Sequence, residues 1–237
     1  MIYYFDEIPS TIDEARYEKY RHGDVVVADH QTAGRGQRGH RWASPRGENL
    51  MFSAVLDTRF LLVTEQFLLL QTVALALTDM LAGYGLDARI KWTNDIYVGD
   101  RKITGVLIDH TIRDGRLARS GVGVGINVLQ TAFEEWLPNP TSMKLEAGRE
   151  FDRGEVLEQF MQCLTARYEM LRGGDREQIL ADYHSKIYRL GVPAEYELPD
   201  GGRFTGIIRG IKPSGDLIIE NAGGTKCYLF REVQFVI

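Results

Sequence analysis

The sequence predicts an α+β protein: a mixed strand-and-helix domain over about residues 1–190, then a small β module over 191–237. Three observations carry this. Strand-length apolar runs and helix-length amphipathic or buried runs interleave through the first part of the chain. From Gly191 onward the helical signal stops and short β runs alternate with turn signals. At 237 residues with 44% hydrophobic side chains, the chain is long enough for one large core and a small appended one.

The elements follow in order. Ser10 and Thr11 precede Asp13 and Glu14 with capping-box spacing, opening a short helix. "DVVVAD" (24–29) reads as a buried strand, 34–49 as loop, and "LMFSAVL" (50–56) as a second strand. Thr64 to Gly83 predicts a helix with an N-cap threonine and apolar residues on most faces, hence an internal one. "DARIKW" and "KITGVLIDHTI" predict strands flanking "TNDIYVGDR", and "SGVGVGINV" is a strand punctuated by glycine. Asp152 with Glu155 opens a helix whose Val156, Leu157, Phe160, Met161 and Leu164 form one stripe. "REQILADYHSKIYRLG" predicts the last helix, closed by Gly191. Beyond it "AEYEL", "RFTGIIRGI", "DLIIE", "KCYLF" and "VQFV", parted by "PDGG", "KPSGD" and "NAGG", suggest a small barrel.

A net charge of −5 argues against a protein devoted to duplex nucleic acid. Cys163 and Cys227 form no close-spaced metal or redox motif and read as buried free thiols in a reducing compartment. The N-terminus carries no signal-peptide pattern. The longest apolar segment, Phe67 to Leu81, is interrupted by Gln71, Thr72, Thr78 and Asp79 and is short for a bilayer span. The expectation is a cytoplasmic protein.

Against that acidic background, "GRGQRGHRWASPRGENL" (34–50) sets Arg35, Arg38, Arg41 and Arg46 against a single carboxylate, Glu48, among four glycines. Gly34, Gly36 and Gly39 match the letters of a dinucleotide fingerprint, but Pro45 and Gly47 follow where that motif needs a helix. No Gly-Lys-Ser/Thr ends the run, so it is not a P-loop. An inert, solvated loop is the plain alternative; Trp42 and the strands at both ends weigh against it. The remaining reading is a loop that grips phosphate, with glycine backbone N–H groups and forked arginine donors closing over an anionic ligand.

That loop, with "KWTNDIYVGDRKITGVLID" (91–109) and "GVGVGINV" (121–128), resembles the biotin–protein ligases, three blocks in the right order over essentially the whole chain. The resemblance implies a mixed-sheet catalytic domain like that of class II aminoacyl-tRNA synthetases and lipoate ligases, then an SH3-like β-barrel. "MIYYFDEIPST" looks like the first catalytic strand. It leaves no room before it for a winged-helix DNA-binding domain, so the implied form is a ligase that binds no DNA and no membrane. The implied reaction activates biotin with ATP and Mg²⁺ to biotinyl-5′-AMP, then transfers it to one lysine of a biotin carboxyl carrier protein or carrier domain. No tightly bound prosthetic group is expected, and a homodimer is possible.

Residue by residue, Lys102 matches the family's catalytic lysine, with Lys91 adding positive charge and Arg35 contacting phosphate. Ser10, Thr11 and Gln31 match the polar contacts to the biotin ring, although helix capping explains Ser10 and Thr11 equally well. Gly34, Gly105, Gly123 and Gly125 fit close backbone approach to biotin, or strand bulges. Arg35, Gln37, Arg38, His40, Arg41, Trp42, Asn94 and Asn127 are implied at the nucleotide, and Asp95 at the metal. "TND" is also a plain turn, and Lys102 alone would pass for a hairpin cation. Two positions depart from the family: Ile12 stands where asparagine is usual, and Gln37 where arginine is frequent. A lipoate ligase of the same fold is the nearest alternative. A β-module adaptor or RNA-contact protein is the other.

Overall fold

The computed structural model describes residues 1–39 and 41–237. Its centre is a seven-stranded sheet of β1 (Ile2–Ile8), β2 (Val25–Gln31), β3 (Leu50–Leu56), β4 (Ala88–Lys91), β5 (Asp95–Val98), β6 (Arg101–Arg113) and β7 (Arg116–Ile126). The strand order is β1-β2-β3-β7-β6-β5-β4. β1 and β2 run parallel and the other pairs are antiparallel, so the sheet is mixed. Every residue of β3 is buried, as its largely apolar run demands, Ser53 included.

A one-turn helix, α1 (Thr11–Glu14), follows β1, and α2 (Gln66–Gly83) packs against β4, β5 and β6. α3 (Met143–Ala147), α4 (Arg153–Gly173) and α5 (Arg176–Ser185) complete the helices, with α2 against both α4 and α5. Thr64 does not cap α2: Val63–Glu65 form a 3-10 turn, and Glu65 Oε2 accepts the Leu62 N–H at 2.9 Å. Val63–Gly83 is a helical stretch of 21 residues, apolar and long enough by composition to cross a bilayer. Burial accounts for that composition, since two faces of α2 meet helices and a third meets the sheet. α4 begins as predicted, with the Asp152 side chain accepting the Glu155 N–H.

Two further expectations need correcting, and one element was not foreseen. "TNDIYVGDR" is not all connection, because Asp95–Val98 pairs on both sides as β5. The short α3 gave no periodic signal. The last helix stops at Ser185 rather than running to Gly191: Ile187 joins Ile90 in a parallel bridge, with Ile90 N–H donating to Lys186 O at 2.8 Å. Pairing at the open edge of β4 overrides the local helical pattern there. The two cysteines are free but only half-buried.

The C-terminal strands β8 (Pro193–Glu197), β9 (Arg203–Ile211), β10 (Leu217–Asn221), β11 (Gly224–Tyr228) and β12 (Gln234–Phe235) form a separate antiparallel sheet, order β11-β10-β9-β8-β12. It shares one apolar core with the large sheet: Tyr196, Ile208, Leu217 and Ile219 belong to the same buried cluster as Phe52, Leu77 and Ile90. Trp92 rivets the junction, its Nε1 donating to Gly215 O at 2.8 Å and its ring meeting Phe230 edge-on.

Candidate active site

β6 and β7 place glycines opposite each other, Gly105 paired with Gly125, so bare backbone floors a cavity of about 800 Å³. Five cationic side chains line it, from Arg35, Arg41, Lys91, Lys102 and Arg231. Among the described lining residues, Asp95 alone brings a side-chain carboxylate. Such a surplus in a net acidic chain suits an anionic ligand of several charges.

Lys102 is held by its backbone, whose N–H donates to Asn139 O at 2.8 Å and whose carbonyl accepts from Thr141 N at 2.9 Å. Its Nζ lies 2.7 Å from Asp95 Oδ1 and 5.9 Å from the centre of the Trp42 ring. Lys91, on β4 beyond β5, has no carboxylate partner among the described residues and donates to the Tyr97 hydroxyl at 3.2 Å. It stands 5.0 Å over the Tyr97 ring and 5.4 Å over that of Phe235. Burial pushes its pKa below the ordinary lysine value; Asp95 opposes the shift, and Lys102 and Arg189 add to it.

The arginine loop is a closed hairpin: Trp42 N–H donates to Gly34 O at 3.0 Å, and Arg35 bridges Arg41. Its tip turns through a 3-10 segment, Gln37–Gly39. The Arg35 guanidinium pairs with Asp13 of α1. Trp42 lies on the glycine floor, since a Cβ at Gly125 would fall 2.3 Å from its Cε2 and one at Gly105 3.3 Å from its Cζ3. The indole N–H is buried without a hydrogen-bond partner among the described residues, a polar group that a ligand could satisfy.

At the far end, Ser10 occupies the N-cap position of α1 but makes no side-chain cap. Gln31 performs that task, its Oε1 accepting the Thr11 N–H at 2.7 Å. The Thr11 hydroxyl accepts from Ser53 Oγ at 2.9 Å. Asn94 reaches the cavity rim, yet its Nδ2 donates to Val106 O at 2.8 Å and its Oδ1 accepts from Thr93 Oγ1, pinning β5 to β6.

The cavity thus gathers Ser10, Thr11, Gln31, Arg35, Gln37, Arg41, Trp42, Lys91, Asn94, Asp95, Lys102, Gly105, Gly123 and Gly125. Gly34 lies outside the lining, where its bare Cα makes room for the Trp42 carbonyl. Asn127 also lies outside: it is buried, and its amide donates to Thr141 O at 2.8 Å. Residue 127 follows the end of β7, and its backbone carbonyl also accepts the Met143 N–H at 3.0 Å, so it ties β7 to the start of α3. His40 and the Arg38 side chain lie outside the described residues. No group of three or more His, Cys, Asp or Glu side chains suited to a metal occurs among the described residues.

Sequence reasoning missed one wall entirely. Arg231 and Val233 of the β11–β12 connection and Gln234 and Phe235 of β12, with Pro138 and Asn139, enclose the end near Lys91. No local motif marks them; the docking of the second sheet brings in the four C-terminal residues, and pairing with Lys102 brings in Pro138 and Asn139.

Comparison with known proteins follows this geometry. The pattern described as "Biotin/lipoate A/B protein ligase family" matches residues 3–127. The chain is 32% identical over 225 residues to the bifunctional ligase/repressor BirA of Escherichia coli, covering 92% of this chain and 68% of that protein. It is 31% identical over 209 residues to the biotin–[acetyl-CoA-carboxylase] ligase of Mycobacterium tuberculosis, covering 86% and 75% respectively. Among solved structures, the biotin protein ligase from Aquifex aeolicus in complex with biotin and ATP matches with TM-score 0.84 at 25% identity, covering 99% of each chain.

Proposed function

The chain belongs to the biotin/lipoate A/B protein ligase family, and from that membership we propose that it is an ATP-dependent biotin–protein ligase. It activates biotin as biotinyl-5′-AMP and passes the acyl group to one lysine of a biotin carboxyl carrier domain. The observation that carries the reading is the cavity itself: a glycine floor with five cations around one carboxylate. Relatives named for biotin along most of the chain favour this over the lipoate alternative. The division into a catalytic domain, 1–190, and a β module, 191–237, is part of the same proposal.

In the first step a biotin carboxylate oxygen attacks the α-phosphorus of ATP, and the bond to the departing pyrophosphate breaks. Two anions must meet, so their repulsion has to be offset in place. Lys102 suits this, exchanging Asp95 for the oxygens on which charge accumulates. Lys91 suits the polyphosphate, because an arriving anion restores the charge that burial disfavours. Arg35 reaches the ligand by giving up Asp13. Asp95 and the nucleotide's phosphates suit Mg²⁺, which binds through one or two carboxylates and substrate oxygens and supplies charge neutralisation when bound. In the second step the uncharged lysine amine attacks the acyl carbon, AMP leaves with the bonding pair, and the nitrogen gives up one proton to solvent as the amide forms. Trp42 and the hairpin cover the anhydride and keep water from it.

The test is direct. The protein with ATP, Mg²⁺, biotin and a carrier domain should release pyrophosphate and label a single lysine. Preference for lipoate in the same assay, or pyrophosphate release with neither acid, would overturn the assignment.

A further inference from the structure

Residues 121, 123 and 125 alternate along β7, so their three glycines leave one bare stripe on one face of the sheet. Side chains cover that stripe from opposite ends. Trp42 lies over Gly125, close to Lys102. Ile12 lies over the other end, its Cδ1 3.1 Å from where a Cβ at Gly121 would stand and 3.4 Å from one at Gly123. From Gly121 to Gly125 the strand runs roughly 13 Å, the scale of a small extended acid.

Behind Ile12 is a second hollow of about 270 Å³, lined also by Ala15, Arg16, Asp109, His110 and Arg119. Ile12 lines both hollows and is 3% exposed, so it is the partition between them. The polar groups beyond it are engaged with protein: Arg16 with Asp109, His110 with Ser120, and Arg119 with the carbonyls of Ala15, Arg16, Tyr17 and Tyr20. That space is room rather than a competing charged site. Arg119 also ties the end of α1 to β7, and a β-branched side chain in a helix keeps essentially one χ1 rotamer. The partition is stiff.

We propose that Ile12 is the end stop of the acid-binding trough, fixing how far the head of the substrate can slide away from Lys102, and so determines specificity. The inference rests on the ligase reading above. An acid one methylene longer than biotin, with its carboxylate at Lys102, drives its ring against Ile12; a shorter residue 12 opens the second hollow to it.

The experiment compares wild type, Ile12→Val and Ile12→Ala for pyrophosphate release with biotin and with homobiotin, the analogue one methylene longer. The kcat/KM ratio of homobiotin to biotin should rise in the order Ile, Val, Ala, by about tenfold or more for alanine, the low end of what one methylene discriminates. A ratio constant across active variants would sink the end stop alone. Wild type inactive with biotin would sink the ligase reading with it. Ile12→Val removes only one methyl group and keeps the comparison decisive should the alanine variant not fold.

Discussion

Lys102 and Lys91 are both cavity lysines, yet their surroundings set them different tasks. Lys102 Nζ already has a partner in Asp95, and both side chains are partly exposed, so the pair adds little to stability. Lys102→Ala should therefore shift folding free energy by about 1 kcal/mol or less while lowering adenylate formation by roughly 100-fold or more. Pyrophosphate release alongside a denaturant melt measures both, and retained turnover would make the lysine a bystander. Lys91 is the reverse case. Its folded pKa lies below the unfolded value, so below that folded pKa both states carry the proton and the buried charge costs stability in full. As pH climbs toward about 10.4 the folded state releases its proton first and the cost disappears. Wild type should gain stability relative to Lys91→Met over that alkaline interval, with urea midpoints at a series of pH values as the measurement. A constant difference would mean that Lys91 feels no burial penalty. Residue identity was legible here: the "DRK" and "KWTND" blocks pointed to both lysines. Their electrostatic difference was not, because Tyr97 and Phe235, which bury Lys91, reach it only through folding.

At the scale of elements, the site depends on segments held in place by side chains at its rim and well beyond it. Asn94 pins the start of β5 to β6. Gln31, rather than Ser10, caps α1. The sequence placed Ser10 ahead of a helix correctly but could not reveal which oxygen would reach the amide, since Gln31 arrives from a different strand. Farther out, the Arg167 guanidinium of α4 joins Asp79 of α2 to Asp182 of α5. Arg167 is only 16% exposed, so its removal strands two half-buried carboxylates. Arg167→Ala should cost about 2–3 kcal/mol, read from the denaturation midpoint, with KM for biotin little changed. A loss below about 0.5 kcal/mol would mean that solvent replaces the guanidinium freely.

Over the whole molecule, one apolar core runs beneath both sheets. Global unfolding should therefore be a single transition, with tryptophan fluorescence and far-ultraviolet dichroism coinciding, Trp92 reporting from the junction. Gly215→Ala tests the joint: this glycine has φ +98°, and an added Cβ would stand 3.1 Å from the Phe67 ring. The expected cost is more than about 1 kcal/mol, together with weaker nucleotide binding, since Arg231 and Phe235 would shift with the sheet. Binding unchanged at lower stability would show that the C-terminal wall is dispensable. By itself the sequence determined the α+β class, the run of strands after Gly191, and the glycine, arginine and lysine blocks, because these follow from local periodicity, backbone freedom and charge. Tertiary structure alone decided that Ile187 pairs with Ile90 instead of extending α5, that Asn127 braces a loop, and that a distant sheet closes the cavity. Those outcomes turn on contacts between residues far apart in the chain, whose free energy exceeds any local preference and leaves no trace in a short stretch of sequence.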